Sequence, residues 1–246
     1  MCENYIMGKI TVKHYLNTRL RPIEINKELT FPVYIRVSFG RRNARISSRW
    51  IPHSQSERAM ESDKTIIDLM NYESGAIEKG LELLGYNEKI QVHSLLRIML
   101  HDLLEYCIDG HFEKDRVVEQ FVMFIQEKTK LSKSILSRFF KFKEWHFEEI
   151  YELTNNEIFD YSLNIRMIYY GMLLEFESIY YHEDTQLGFK VGCLLTFYDW
   201  IYRNGKDDFI KFAKNKQLIP ISDILSLTDE LTEKMIGSIK FWSFMN

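Results

Sequence analysis

The sequence predicts a mainly α protein: a small N-terminal three-stranded antiparallel β-sheet followed by a multi-helix bundle or array. Three observations predict it. Pro22, Pro32 and Pro52 crowd the first 52 residues, and only Pro220 follows, leaving a long proline-free stretch that permits long helices. Apolar residues alternate with period two before about residue 50 and recur at helical spacing after about residue 60. Charge divides the same way. Residues 1–58 hold eleven Lys or Arg against four acids, a net +7 that leaves −10 for the rest of a chain totalling −3. Residues 1–58 therefore read as a basic β-rich segment, and 59–246 as an acidic all-helical domain.

The elements follow in order. Lys9 to Asn17 alternates Ile10, Val12 and Leu16 against Lys9, Lys13 and Tyr15, with His14 breaking the apolar row. Phe31 to Phe39 is the cleanest period-two run: Phe31, Val33, Ile35, Val37 and Phe39 on one face, Tyr34, Arg36 and Ser38 on the other. Gly40-Arg41-Arg42-Asn43 reads as a hairpin turn. Asn43 to Trp50 then sets Ala44, Ile46 and Trp50 opposite Arg45, Ser47 and Arg49. The result is a sheet with one apolar and one basic face.

Farther on, Val92, Leu95, Leu96, Met99, Leu100, Leu103 and Leu104 keep helical spacing until Asp109-Gly110 stops them. Leu187, Val191, Leu194, Leu195, Tyr198, Ile201 and Tyr202 repeat the pattern and stop at Asn204-Gly205. Arg116–Lys128, Lys133–Lys143 and Ile158–Ile179 are also helix-like, the last apolar enough to be central. Glycines at 75, 80 and 85 weaken the helical reading of 64–90 without excluding it.

Composition bounds the class. With 46% apolar, 27% charged and 14% aromatic residues, the chain is globular rather than disordered. No apolar run approaches the roughly 18 residues of a membrane span. Glu3 and Asn4 sit where a signal peptide would begin, so a cytoplasmic location is expected. Cys2, Cys107 and Cys193 are odd in number and widely spaced, which fits a reduced compartment and supports neither a zinc site nor a disulfide framework. No cofactor motif is present.

The basic sheet face is the first candidate for function. Lys13, Tyr15, Tyr34, Arg36, Arg45 and Arg49 are expected to project together, with Arg41 and Arg42 extending the row at the turn. Such a ribbon fits the major groove of B-form DNA, where Arg reaches guanine edges or phosphates and Tyr donates to phosphate oxygens. A solvated edge-protecting face gives a similar pattern. A second basic stretch, 128–143, carries six positive residues and no acid, and a helix there places Lys133, Arg138 and Lys141 on one side as a phosphate-tracking surface. The acidic stretch from Glu144 to Asp184 holds ten acids with Arg166 as its one Lys or Arg. It is a candidate protein-partner surface or a counter-charge to the basic head. Tyr169-Tyr170 and Tyr180-Tyr181 with Phe176 read as core rather than a base-stacking platform.

The run K-I-T-V-K-H-Y-L-N, a polar connection, and F-P-V-Y-I-R-V-S-F-G-R-R-N-A-R-I-S-S-R-W-I-P resembles the N-terminal arm-type DNA-binding region of tyrosine recombinases, the phage and mobile-element integrases of Bacteroidetes in particular. The likeness covers about residues 8 to 52, and its most specific part is Pro32-Val33-Tyr34-Ile35-Arg36 with the Gly40 turn. It implies DNA binding by Arg36, Arg41, Arg42, Arg45 and Arg49, and a helical second domain that clamps the duplex. It does not carry over catalysis. None of His14, His53, His93, His101, His111, His146 and His182 has Arg three residues on, and the last tyrosine is Tyr202. The sequence thus points to a non-catalytic, integrase-like accessory or regulatory protein that binds DNA. The alternative is a helical protein-interaction module.

A third reading starts from His93 and His101-Asp102, an arrangement similar to that of HD-type metal-dependent phosphohydrolases. Eight residues apart on one helix, the two histidines stand about 12 Å apart by axial rise, too far to share an ion.

Overall fold

The structure, a computed structural model, describes residues 10–25, 27–107, 114–129, 161–183 and 195–245. Within them lie five strands: β1 (Thr11–Leu16), β2 (Ile23–Ile25), β3 (Glu28–Phe39), β4 (Arg42–Ser47) and β5 (His53–Ser54). The described helices are α1 (Glu57–Ser62), α2 (Lys64–Leu83), α3 (Val92–Met99), α4 (Leu103–Tyr106), α5 (Lys114–Thr129), α6 (Tyr161–Glu183), α7 (Phe197–Tyr202), α8 (Gly205–Lys216) and α9 (Ile221–Trp242). The chain is mainly α with a small N-terminal antiparallel sheet, as its periodicity predicts. The helix expected at Lys133–Lys143, and with it Lys133, Arg138 and Lys141, lies outside the described residues.

β3 is the spine of the sheet. It pairs antiparallel with β1 on one side and β4 on the other. Its alternation predicts its burial: Val33, Ile35, Val37 and Phe39 are buried, and Arg36 is exposed. The turn into β4 is shorter than expected. Phe39 pairs with Arg42 and Ser38 with Asn43, leaving Gly40-Arg41 as a two-residue loop. Gly40 takes φ +55° at its first position, the backbone of a type II′ hairpin, whose twist matches the flanking strands. The sequence reading missed β2, which pairs with the start of β3 to make a projecting hairpin. β2 carries two isoleucines around one glutamate, too short a run to show a period.

The apolar face of the sheet is not the edge of a separate unit. Ile35, Val37, Phe39 and Ile46 join α2, α3, α6, α7, α8 and α9 in one continuous core. The boundary expected after residue 58 falls inside α1. A smaller cluster of Leu16, Val33, Ile51, Met60 and Leu69 closes the sheet against α1 and α2.

Capping residues explain the helix limits. Asp63 ends α1 in extended conformation, and its carboxylate accepts from the Thr65 and Ile66 N–H groups to start α2. α2 closes with paired bonds from Gly85 N–H to the Glu82 carbonyl and from Tyr86 N–H to the Leu81 carbonyl, with Gly85 at φ +65°. Gly75 and Gly80 do not break α2 because they are its points of closest approach. An added Cβ would lie 2.2 Å from the Tyr198 hydroxyl or 2.7 Å from Leu95 Cδ1.

The single helix expected from Val92 through Leu104 is two. Leu103 N–H donates to the Leu195 carbonyl and Phe197 N–H to the His101 carbonyl, so a β-bridge between Asp102 and Thr196 interrupts the helix between α3 and α4. The apolar spacing survives that break, which is why periodicity alone reads through it. Tyr169, Tyr170 and Phe176 are core, as expected. No helix among the described residues is long and apolar enough to cross a membrane.

Candidate nucleic-acid interface

The pairing register decides which basic residues meet. Lys13 lies opposite Arg36, and Arg36 opposite Arg45, so three cations form one rung across β1, β3 and β4. The adjoining rung is Tyr15, Tyr34 and Ser47. All three cations are exposed, and among the described residues none of them has a carboxylate within salt-bridge distance. The Arg36 guanidinium sits 5.4 Å over the Tyr15 ring, whose centroid is 6.2 Å from that of Tyr34. Like charges directly opposite each other destabilise a sheet. Here they are placed together on its exposed face.

Five of the candidate residues, Lys13, Tyr15, Tyr34, Arg36 and Arg45, therefore share a face. Arg41 is exposed at the turn beside it. The structure corrects the placing of two others. Arg42 is paired with Phe39, so it points to the core side, where its guanidinium donates to the Glu88 carbonyl and to the Ile90 carbonyl at 2.8 Å. It clamps the loop after α2 instead of extending the basic row. Arg49 lies beyond the end of β4 and donates to the Arg97 carbonyl at 3.4 Å, at the last turn of α3. A cation near a helix C-terminus is favourably placed. The strand stops at Ser47, short of the Trp50 limit expected from the sequence.

The reason for that early stop is a residue the sequence reading did not single out. Glu73 of α2 is fully buried, and four donors surround its carboxylate. One oxygen accepts from the Arg49 and Trp50 N–H groups at 2.6 and 3.0 Å. The other accepts from the Ser48 hydroxyl at 2.7 Å and lies 2.9 Å from His14 Nε2. A carboxylate has about four lone-pair sites, so this one is saturated. It turns the chain after β4 and ties β1 to α2, fixing the sheet that presents the basic face.

Two further acidic side chains are buried among the helices. Asp199 caps α7 in a reciprocal box with Thr196, receives the Tyr72 hydroxyl and lies 3.2 Å from Arg203 Nη1. Burial raises the Asp199 carboxyl above its ordinary range despite these donors. Burial and the neighbouring Asp199 charge push the Tyr72 phenol up as well. Glu177 of α6 is buried with Oε1 unbonded among the described residues, and burial, with Asp102 nearby, pushes its carboxyl up to about 8. Beside it Cys107 is buried, and that burial raises its thiol far from thiolate formation.

Two grooves flank these elements. One, of about 280 Å³, runs between β1 and the α1–α2 pair, with Lys13 and Tyr15 on one wall and Glu57 and Glu61 on the other. Those acids mark the edge of the basic face. The second, of about 360 Å³, opens beside His93, Arg97 and His101. Among the described residues no group of three or more His, Cys, Asp or Glu side chains is arranged to hold a metal ion. No family model, curated protein or solved structure matches this chain.

Proposed function

We propose that the chain is a non-catalytic DNA-binding protein that docks the exposed face of its β-sheet on the duplex, in the manner of the integrase arm-type region its N-terminal strands resemble. One observation carries the reading: the exposed Lys13–Arg36–Arg45 rung, without a carboxylate partner among the described residues, beside the Tyr15–Tyr34 pair. Three strands span two spacings, about 10 Å, comparable with a major groove about 12 Å wide. The three cations address phosphates or guanine edges, and the two phenols donate to phosphate oxygens. Arg41 at the hairpin tip adds a fourth cation along the same edge. Nothing in this role requires a cofactor.

The test is fluorescence anisotropy of the full chain on mixed-sequence duplex DNA across a salt series, beside Lys13→Glu/Arg36→Glu/Arg45→Glu. If each cation neutralises one phosphate, the wild-type plot of log affinity against log salt exceeds that of the variant in slope by about 3. Equal binding by both proteins would remove the sheet from the interface.

The competing reading, a protein-interaction module, is favoured by the β2–β3 hairpin, which leaves Ile23 and Ile25 exposed on one face and Leu29 on the other. Exposed apolar residues gathered on a projecting element mark protein contacts. That reading predicts no salt-dependent DNA binding by the wild-type chain.

A further inference from the structure

The groove of about 360 Å³ between α3, α4 and the end of α9 has the make-up of a ligand site and belongs to no element of the sheet face. α9 is held at its mouth by the Gln91 N–H, which donates to the Ser243 carbonyl at 2.7 Å. Its volume lies within the roughly 300–1,000 Å³ of small-molecule pockets.

The groove's lining combines two chemistries. One is cationic. Arg97 is exposed, and among the described residues its guanidinium has no carboxylate in salt-bridge distance. His93 lies one turn earlier on the same side of α3, and among the described residues no Asp or Glu lines the groove. The other is aromatic. Trp242 is 51% exposed at the end of α9, although indoles are usually covered. Tyr106 and His101 pack edge-to-face beside it, and His101 in turn stacks on Phe197 at 5.7 Å. The His101 Nδ1–H donates to the Asp102 carbonyl at 2.9 Å, which holds the ring as a wall.

A cation that lacks a counter-ion calls for an anion, and a half-exposed indole, which meets Phe241 edge-on, has room for a flat ring. We propose that this groove binds a nucleotide, its phosphate on Arg97 and His93 and its base stacked against Trp242. The shared chemistry is a phosphate joined to a planar base, supplied either by a free mononucleotide or by the 5′ end of a strand. The site stands apart from the sheet face, and its occupancy does not depend on the DNA-binding reading.

Isothermal titration of the full chain with AMP, adenosine, inorganic phosphate and a 5′-phosphorylated hexa-adenylate tests it. AMP is expected to bind at one site, with adenosine and phosphate each weaker by about tenfold or more, since stacking on one aromatic ring contributes about that factor. Arg97→Ala and Trp242→Ala are each expected to weaken AMP by about tenfold, with Trp242→Phe restoring it and with unchanged melting temperatures. A hexamer that binds as tightly as AMP identifies a strand end as the source, and a weaker one identifies the free nucleotide; both support the site. Lys13→Glu/Arg36→Glu/Arg45→Glu should leave AMP binding intact, which separates this site from the sheet face. No AMP binding, phosphate as tight as AMP, or AMP binding indifferent to both Arg97→Ala and Trp242→Ala would overturn the proposal.

Discussion

His14 Nε2 lies 2.9 Å from Glu73 Oε2, and both side chains are buried. Each is a polar misfit in an apolar row, one on β1 and one on α2, and each supplies the partner the other needs. Ser48 and the Arg49 and Trp50 N–H groups complete the carboxylate's shell, so a single side chain joins β1, the chain after β4 and α2. Removing it strands buried donors. Glu73→Ala is expected to destabilise the fold by about 3–5 kcal/mol in urea denaturation. Glu73→Gln, which turns one acceptor into a donor, should fall between. A Glu73→Ala loss below about 1 kcal/mol, the size of an exposed pair, would remove Glu73 from this role.

Arg42 and Arg45 stand three residues apart with opposite expected phenotypes. Arg42→Ala deletes bonds to two carbonyls and is expected to cost about 1–3 kcal/mol in stability while leaving the salt slope of DNA binding unchanged. Arg45→Ala should lower that slope by about 1 without lowering the melting temperature, since it relieves the repulsion with Arg36. Thermal unfolding and anisotropy on both variants decide it; the reverse pattern would mean that the register-based assignment of faces is wrong.

Gly80 faces Leu95, a fully buried side chain. Alanine is the better helix former, so propensity alone predicts that Gly80→Ala stabilises α2. Overpacking is the larger effect, and the variant is expected to lose about 1–3 kcal/mol in chemical denaturation. A stabilised variant would show that α2 and α3 separate easily.

Glu177 sets a pH dependence. In the folded chain its carboxyl holds a proton up to about pH 8, against an ordinary value of 4.5. Between those values the folded state binds more protons than the unfolded one, so this group's contribution makes stability fall as pH rises. Glu177→Gln keeps the shape without the charge. It is expected to flatten the slope between about pH 5 and 8 and to stabilise the chain at about pH 9 by on the order of 2–4 kcal/mol. Asp199 is shifted in the same direction, so some slope should remain. Parallel pH profiles for Glu177→Gln and wild type would show that the carboxyl ionises normally.

What the sequence determined by itself is the part written in short-range periodicity. The alternation from Phe31 to Phe39 specifies which side of β3 is buried, and with it which side Arg36 shows to water. The helical spacing of Val92, Leu95, Leu96 and Met99 specifies the buried stripe of α3. These hold because side-chain direction repeats every two residues in a strand and every 3.6 in a helix. Only the tertiary structure decided the rest. The two-residue turn at Gly40-Arg41 sends Arg42 to the core side. The bridge between Asp102 and Thr196 splits an unbroken apolar pattern into α3 and α4. Glu73 pulls Arg49 off the sheet face and toward Arg97. Each of these depends on a hydrogen-bonding partner distant in sequence, and a polar residue does not announce its partner in the residues beside it. Glu73 did leave one local sign: it sits among Leu69, Tyr72, Ala76 and Ile77, on the stripe of α2 that the core covers.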